Sequence, residues 1–109
     1  MSYKVTVIIP TYNSVEFLDS TIASIMNQSI GFENIELIIV DDCSNDNTFQ
    51  ITEEYSSCDN RIRVIHNVCN QKLPESLNIG FRQAKGEYLT WTSDDNMYLP
   101  DALKIMIID

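Results

Sequence analysis

The chain has 109 residues, one domain or part of one, and its 44% apolar content is that of a folding chain rather than a disordered one. Its formal charge is −9, from 16 acids against 7 Lys plus Arg. That balance argues against nucleic-acid and anionic-membrane partners, which are bound chiefly through basic patches.

The N-terminal stretch MSYKVTVIIP has a single Lys before a short apolar run and no small-residue cleavage site, so it reads as a first strand over 4–9 rather than a signal peptide. No apolar run approaches the roughly 18–20 residues of a membrane span. Val15, Leu18, Ile22 and Ile25 recur at helical spacing and predict a helix over about 15–28, with Asn13 and Glu16 spaced as a capping box. IELIIV (35–40) predicts a second buried strand. Ile51, Tyr55 and Cys58 mark the inward face of a second helix begun near Asp46. RIRVIH (61–66) reads as a third strand. Leu77, Phe81 and Ala84 predict a third helix stopped by Gly86. EYLTW (87–91) is a fourth strand, and Leu99, Leu103 and Met106 open a fourth helix with Pro100 in its first turn. That helix runs to Asp109 without a stop signal, as if the chain were cut within a larger domain.

Four strand–helix alternations predict an α/β fold: parallel strands with helices on the faces, and every strand's C-terminal end on one edge. The segments that follow the strands are PTYNS (10–14), DDCSND (41–46), HNVCNQK (66–72) and TSDDN (92–96). All are polar, and ligands of open parallel sheets bind outside this edge. The acidic pairs Asp41–Asp42 and Asp94–Asp95 are therefore expected in one cleft. Each has a structural alternative. Asp41–Asp42 sits among turn-forming residues, and Asp94–Asp95 precedes a helix that Asn96 would cap. Four converging acids repel unless a cation or hydrogen-bond donors hold them, and Mg²⁺ or Mn²⁺ suits adjacent carboxylates shared with phosphates. Gly-rich phosphate loops of the G-x-G-x-x-G or P-loop kind are absent, with 3 glycines in the chain. Cys43, Cys58 and Cys69 are odd in number and lack metal-ligand spacing, which points to a reducing, cytoplasmic setting. Cys58 is expected in the core, Cys43 and Cys69 in loops. His66, alone at a strand end, makes neither a metal cluster nor a triad.

In order, VTVIIPTYNS, IELIIVDDCSNDNT and LPESLNIGFRQAKGEYLTWTSDDN resemble the family 2 glycosyltransferases of the GT-A fold across essentially the whole chain. The stretch GEYLTWTSDDNMYLPDAL is especially similar to the spore-coat polysaccharide type. The resemblance implies a Rossmann-like nucleotide-binding half with a mainly parallel sheet of about four strands. It implies that Pro10, Thr11 and Tyr12 line a nucleobase pocket, with Tyr12 stacking on the base or else merely packing. Asp42 would accept the uracil N–H, and Asp41 would support it or the ribose. Asp94 would face the ribose or the metal, and Asp95 would hold a divalent cation (Mn²⁺ or Mg²⁺) bridging the diphosphate. The implied partners are a nucleotide-diphosphate sugar, a UDP-sugar by analogy, and an acceptor glycan or glycoconjugate of unknown identity.

Two departures stand out. The family's usual D-x-D is Ser93–Asp94–Asp95 here, and Lys72 occupies a place where many members have Gly. Lys72 either reaches a phosphate or the base, or is a solvated loop lysine. The implied reaction inverts the anomeric centre by direct displacement, with metal-assisted departure of the diphosphate. The family's catalytic base lies C-terminal to the metal motif, so it is expected beyond residue 109. Asp101 and Asp109 read as helix-surface residues. The chain would then be the donor half of an enzyme, possessing no catalytic residue of its own. Rival readings are an inactive nucleotide-binding or interaction fragment, and a Mg²⁺-binding phospho-receiver domain. The receiver needs an Asp at the end of the third strand, where His66–Asn67 stand. A sugar nucleotidyltransferase would need a Gly-rich, Arg-containing first loop, which PTYNS is not.

Overall fold

A computed structural model describes residues 3–108 of the chain. The alternating periods fold as β1 (Tyr3–Thr11), α1 (Leu18–Met26), a 3₁₀ turn (Phe32–Asn34), β2 (Ile35–Asp41), α2 (Thr48–Cys58), β3 (Ile62–His66), α3 (Lys72–Gln83), β4 (Gly86–Trp91) and α4 (Ala102–Ile108). The strands form one all-parallel sheet in the order β3-β2-β1-β4. Val7 of β1 lies between Leu37 of β2 and Thr90 of β4. This is the expected α/β architecture.

Right-handed crossovers in this strand order place α1 and α2 on one face and α3 on the other. The packing agrees. Val5, Val7 and Ile9 alternate onto one face with Ile35, Leu37 and Ile39, beneath Leu18, Ile22 and Ile25 of α1, Ile51 and Tyr55 of α2, and Leu103 of α4. Ile8, Ile38 and Val40 face the opposite side, against Leu77, Phe81 and Ala84. The three α1 side chains are fully buried, which stabilises the fold by about 1.5–3 kcal/mol each.

Pro10 lies within β1, where a missing N–H would break a ladder. Ile8 accepts from the Thr92 N–H on the β4 side, and strand alternation aims residue 10 to that same side. The β1–β4 pairing ends at Ile8–Trp91, so the missing donor falls past the last pair.

Several local expectations are corrected. The Asn13–Glu16 capping box does not form. Asn13 adopts φ 49°, and α1 starts at Leu18 with no side-chain cap. The Asn13 side-chain Oδ1 instead accepts from the Asn45 N–H at 2.9 Å, and the Asn13 backbone N–H donates to the Ser44 hydroxyl at 2.9 Å. The side chain is spent joining two loops. Val15 is exposed for the same reason: it precedes the helix. Cys58 is exposed rather than core: Thr48, Ile51, Thr52 and Tyr55 form the inward face of α2, and Cys58, its last residue, lies beyond it. α3 ends at Gln83, and Gly86 opens β4 instead of stopping the helix. Pro100 precedes α4, whose only fully buried side chain among the described residues is Leu103, while Leu99 and Met106 are exposed. Asp109 lies outside the described residues.

Candidate functional site

Strand order reverses between β1 and β4, which are sequence-distant neighbours on either side of the sheet's switch point. Ligands of open α/β sheets bind at such a point, outside the strands' carboxyl ends. A cavity of about 300 Å³ opens there, at the small end of the range for ligand sites. Pro10, Thr11 and Tyr12 supply one wall, and Trp91, Ser93 and Asp94 another. Asp42 from the end of β2 and Leu73 and Ser76 from the first turns of α3 complete it. Tyr12 and Trp91 are each nearly half exposed, so ring surface is available to a flat ligand.

Each acidic pair divides its duties. Asp41, the last residue of β2, is fully buried. One of its oxygens meets His66 Nδ1 at 2.8 Å and accepts from the Ser44 N–H at 3.3 Å, while Oδ1 has no partner. The His66 ring packs on Phe49, with centroids 4.2 Å apart. Asp42 turns to the cavity side. Its Oδ1 accepts from Asn67 Nδ2 at 2.9 Å and the Gln71 N–H at 2.7 Å, and its Oδ2 from the Lys72 N–H at 3.1 Å. Burial alone would push the Asp42 carboxyl up. The Gln71 and Lys72 N–H groups, the Asn67 amide and the Ser76 hydroxyl outweigh burial and hold it below its ordinary 3.8. Asp42 is thus a preorganised carboxylate that also caps the start of α3.

Asp94 is fixed at both its side chain and its backbone. Its Oδ2 accepts from the Thr11 hydroxyl at 2.9 Å and the Tyr12 N–H at 3.1 Å. Its carbonyl accepts from the Thr21 hydroxyl of α1 at 2.9 Å. Asp95 is exposed and does not line the cavity. Asn96 does not cap α4; its Nδ2 donates to the Thr92 hydroxyl at 2.9 Å.

The structure therefore brings Pro10, Thr11, Tyr12, Asp42 and Asp94 together around one cavity. Asp41 lies buried beneath, Asp95 outside, and Lys72 contributes its backbone N–H to Asp42. Trp91, Leu73, Ser76 and the anchoring Asn67 were not singled out from sequence. Trp91 had a signal: it ends the strand that borders the polar segment. No such signal marks Asn67, whose role depends on Asp42 across 25 positions.

Among the described residues, no three His, Cys, Asp or Glu side chains converge as a closed metal cage. Asp94 keeps one oxygen without a hydrogen bond, and the Asp95 carboxylate has none among the described residues. One or two open carboxylates fit a hard cation that takes its other ligands from phosphates and water. β3 ends at His66, so the carboxylate that a phospho-receiver requires there is missing.

The glycosyl transferase family 2 model matches residues 6–107. The chain is 36% identical over 97 residues to glycosyltransferase GlyG of Streptococcus pneumoniae, covering 89% of this chain and 32% of that protein. S. aureus TarS in complex with UDP-GlcNAc superposes with a TM-score of 0.87 at 31% identity, over 96% of this chain and 30% of TarS. The mannosyltransferase PcManGT from Pyrobaculum calidifontis, in complex with GDP-Man and Mn²⁺, gives a TM-score of 0.80 at 25% identity, over 87% of this chain and 28% of that one. The chain thus spans about a third of the length of these three proteins. With the switch-point cavity, the parallel sheet and a match over nearly all of its residues, the chain belongs to glycosyl transferase family 2.

Proposed function

We propose that this chain is the donor-binding half of a metal-dependent, inverting glycosyltransferase. The donor is a nucleotide-diphosphate sugar, specifically a UDP-sugar, and the acceptor is a hydroxyl of a polysaccharide or glycoconjugate. The observation that carries the reading is Asp42: a carboxylate held ionised by four donors at the wall of a cavity flanked by aromatic rings. Such a group accepts an imide N–H from a flat base while Tyr12 and Trp91 offer apolar ring surface. Pro10 and Thr11 shape the adjoining wall, and Asp41, paired with His66, stiffens the end of β2 beneath it. The TarS complex with UDP-GlcNAc supports the choice of donor.

Asp94 would meet the ribose or the cation, and Asp95 would hold the cation on the diphosphate side. The Mn²⁺ complex of the mannosyltransferase supports that assignment. A cation there supplies Lewis-acid neutralisation of the departing diphosphate. The chain's own residues orient the donor: the Thr11 hydroxyl and Tyr12 N–H fix Asp94, and Thr21 fixes the backbone behind it.

Calorimetric titration of UDP with and without Mn²⁺, repeated on Asp95→Ala, tests the reading. Metal-dependent binding that is lost in the variant is expected. Binding indifferent to metal in both proteins would keep the base pocket and remove the metal role of Asp95. No binding of UDP or of any nucleoside diphosphate would overturn the donor site itself.

A further inference from the structure

We propose that Lys72 is the protein cation that binds the donor's diphosphate, an inference that rests on the cavity being a nucleotide-sugar site. Lys72 has φ 69°, in the left-handed region where glycine is at ease and a long side chain is disfavoured. The local geometry explains the backbone and not the side chain. The Lys72 N–H must reach Asp42 Oδ2 at 3.1 Å, and a glycine would make that bond without strain. A lysine at this position is accounted for by something its ammonium does.

The charge distribution says what that is. Lys72 is the one Lys or Arg in the loops that follow the four strands, counting the first residue of the helix each loop leads into. Those same segments carry Asp42, Asp46, Asp94, Asp95 and Asp101. Lys4, Arg61, Arg63 and Arg82 are paired with Glu87, Asp59, Glu36 and Glu75. Lys72, Lys85 and Lys104 form no ion pair among the described residues, and of these three Lys72 alone lies on the edge where the strands end. Backbone donors do not replace it: the Gln71 and Lys72 N–H groups are taken by Asp42, and the Thr48 N–H at the start of α2 by Asp46. Two of the residues that line the cavity, Asp42 and Asp94, are carboxylates and none is a cation. Lys72 does not line it, but adjoins Leu73, which does, so its long side chain is the nearest source of positive charge in the loops at this edge. Phosphate recognition by a flexible point charge is what lysine offers.

Wild type, Lys72→Gly, Lys72→Met and Lys72→Arg are titrated with uridine and with UDP at one fixed Mn²⁺ concentration, and melted without ligand. Lys72→Gly and Lys72→Met should each bind UDP roughly tenfold more weakly, the loss expected of one charge-assisted bond. Uridine affinity should stay unchanged in both, and Lys72→Arg should retain most UDP affinity. Lys72→Gly alone should melt at a higher temperature, since it relieves the strain that Lys72→Met keeps. UDP affinity unchanged in both Gly and Met variants would overturn the proposal, as would uridine affinity falling in parallel with UDP, the mark of a disturbed Asp42. Wild type binding neither compound would instead overturn the nucleotide-site reading beneath it.

Discussion

Thr11 and Asp94 stand 83 positions apart, and a 2.9 Å hydrogen bond from the Thr11 hydroxyl to the Asp94 carboxylate ties the end of β1 to the segment after β4. The bond crosses the switch point of the sheet. Thr11→Val keeps the shape and removes the donor, leaving Asp94 Oδ2 with the Tyr12 N–H. Loss of a partly buried bond to a charged acceptor should destabilise the chain by about 1.5–3 kcal/mol. UDP binding should weaken with it, and Thr11→Ser should restore both. Urea unfolding paired with titration checks this. Stability lost with UDP affinity intact would mean that Asp94 needs no positioning.

Asp42 makes the stability of the fold depend on pH in a defined direction. Its folded pKa lies below the ordinary 3.8, because donor groups from Asn67, Gln71, Lys72 and Ser76 outweigh burial. The stabilisation is therefore fully present above the unfolded value, at about pH 4 and higher, and drains away as pH falls through the folded value. Asp42→Asn should be less stable than wild type at neutral pH, because an amide can turn an N–H toward the N–H groups it now must accept from. Its urea midpoint should fall less steeply than that of wild type below about pH 4. Parallel acid limbs in the two proteins would show that Asp42 is not held ionised.

The fold was legible because its signals are local. β-branched runs alternating with three-and-four spacing recover each strand and helix, and the order of elements then dictates which edge is polar. Within the candidate site, the residues next to strand ends were legible: Pro10, Thr11, Tyr12, Asp42 and Asp94 all line the cavity. What stayed hidden depends on partners far away in sequence. Asn13 fits a helix cap until Asn45 claims its side chain. Asp41 and Asp42 look equivalent until strand alternation sends one to His66 and the other to α3. Cys58 fits a helical apolar face with Ile51 and Tyr55, yet that face stops packing on the sheet before the last residue of α2.

Gly86 was legible as a glycine with a purpose, but the purpose lies in β-pairing. A Cβ there would sit 2.5 Å from the Thr6 backbone nitrogen, closer than packed atoms tolerate. The Gly86 N–H donates to the Thr6 hydroxyl at 2.8 Å, and that hydroxyl donates to the buried Glu36 at 2.8 Å. Gly86→Ala must therefore push β4 off β1 at its first pair. An overpacking cost of about 1–3 kcal/mol is expected, with disturbance along β4 to Trp91. Thermal melting and tryptophan fluorescence check this. An unshifted melting point would mean that β4 starts further along the chain.

Gln28 is the residue whose loss should release the segment that follows the cavity wall. It is almost fully buried just after α1. Its Nε2 donates to the Leu99 carbonyl at 2.7 Å and its Oε1 accepts from the Leu103 N–H at 2.9 Å. The Ser29 N–H adds a bond to the Pro100 carbonyl at 2.8 Å. One amide thus pins both the entry loop and the first turn of α4, where few buried apolar contacts do so. Gln28→Ala leaves the Leu103 N–H unpaired, at about 1–3 kcal/mol where water cannot reach it, and takes from the Leu99 carbonyl one of its two donors, the Ala102 N–H remaining. Hydrogen exchange should quicken first across residues 99–106 and leave β1 and β2 protected, because local opening follows local contact density. Gln28→Glu should share the loss in part, since its carboxylate keeps the bond from Leu103 and faces the Leu99 carbonyl without a donor. Exchange that quickened evenly over the sheet would assign Gln28 to the core of α1 and free the β4–α4 segment from its control.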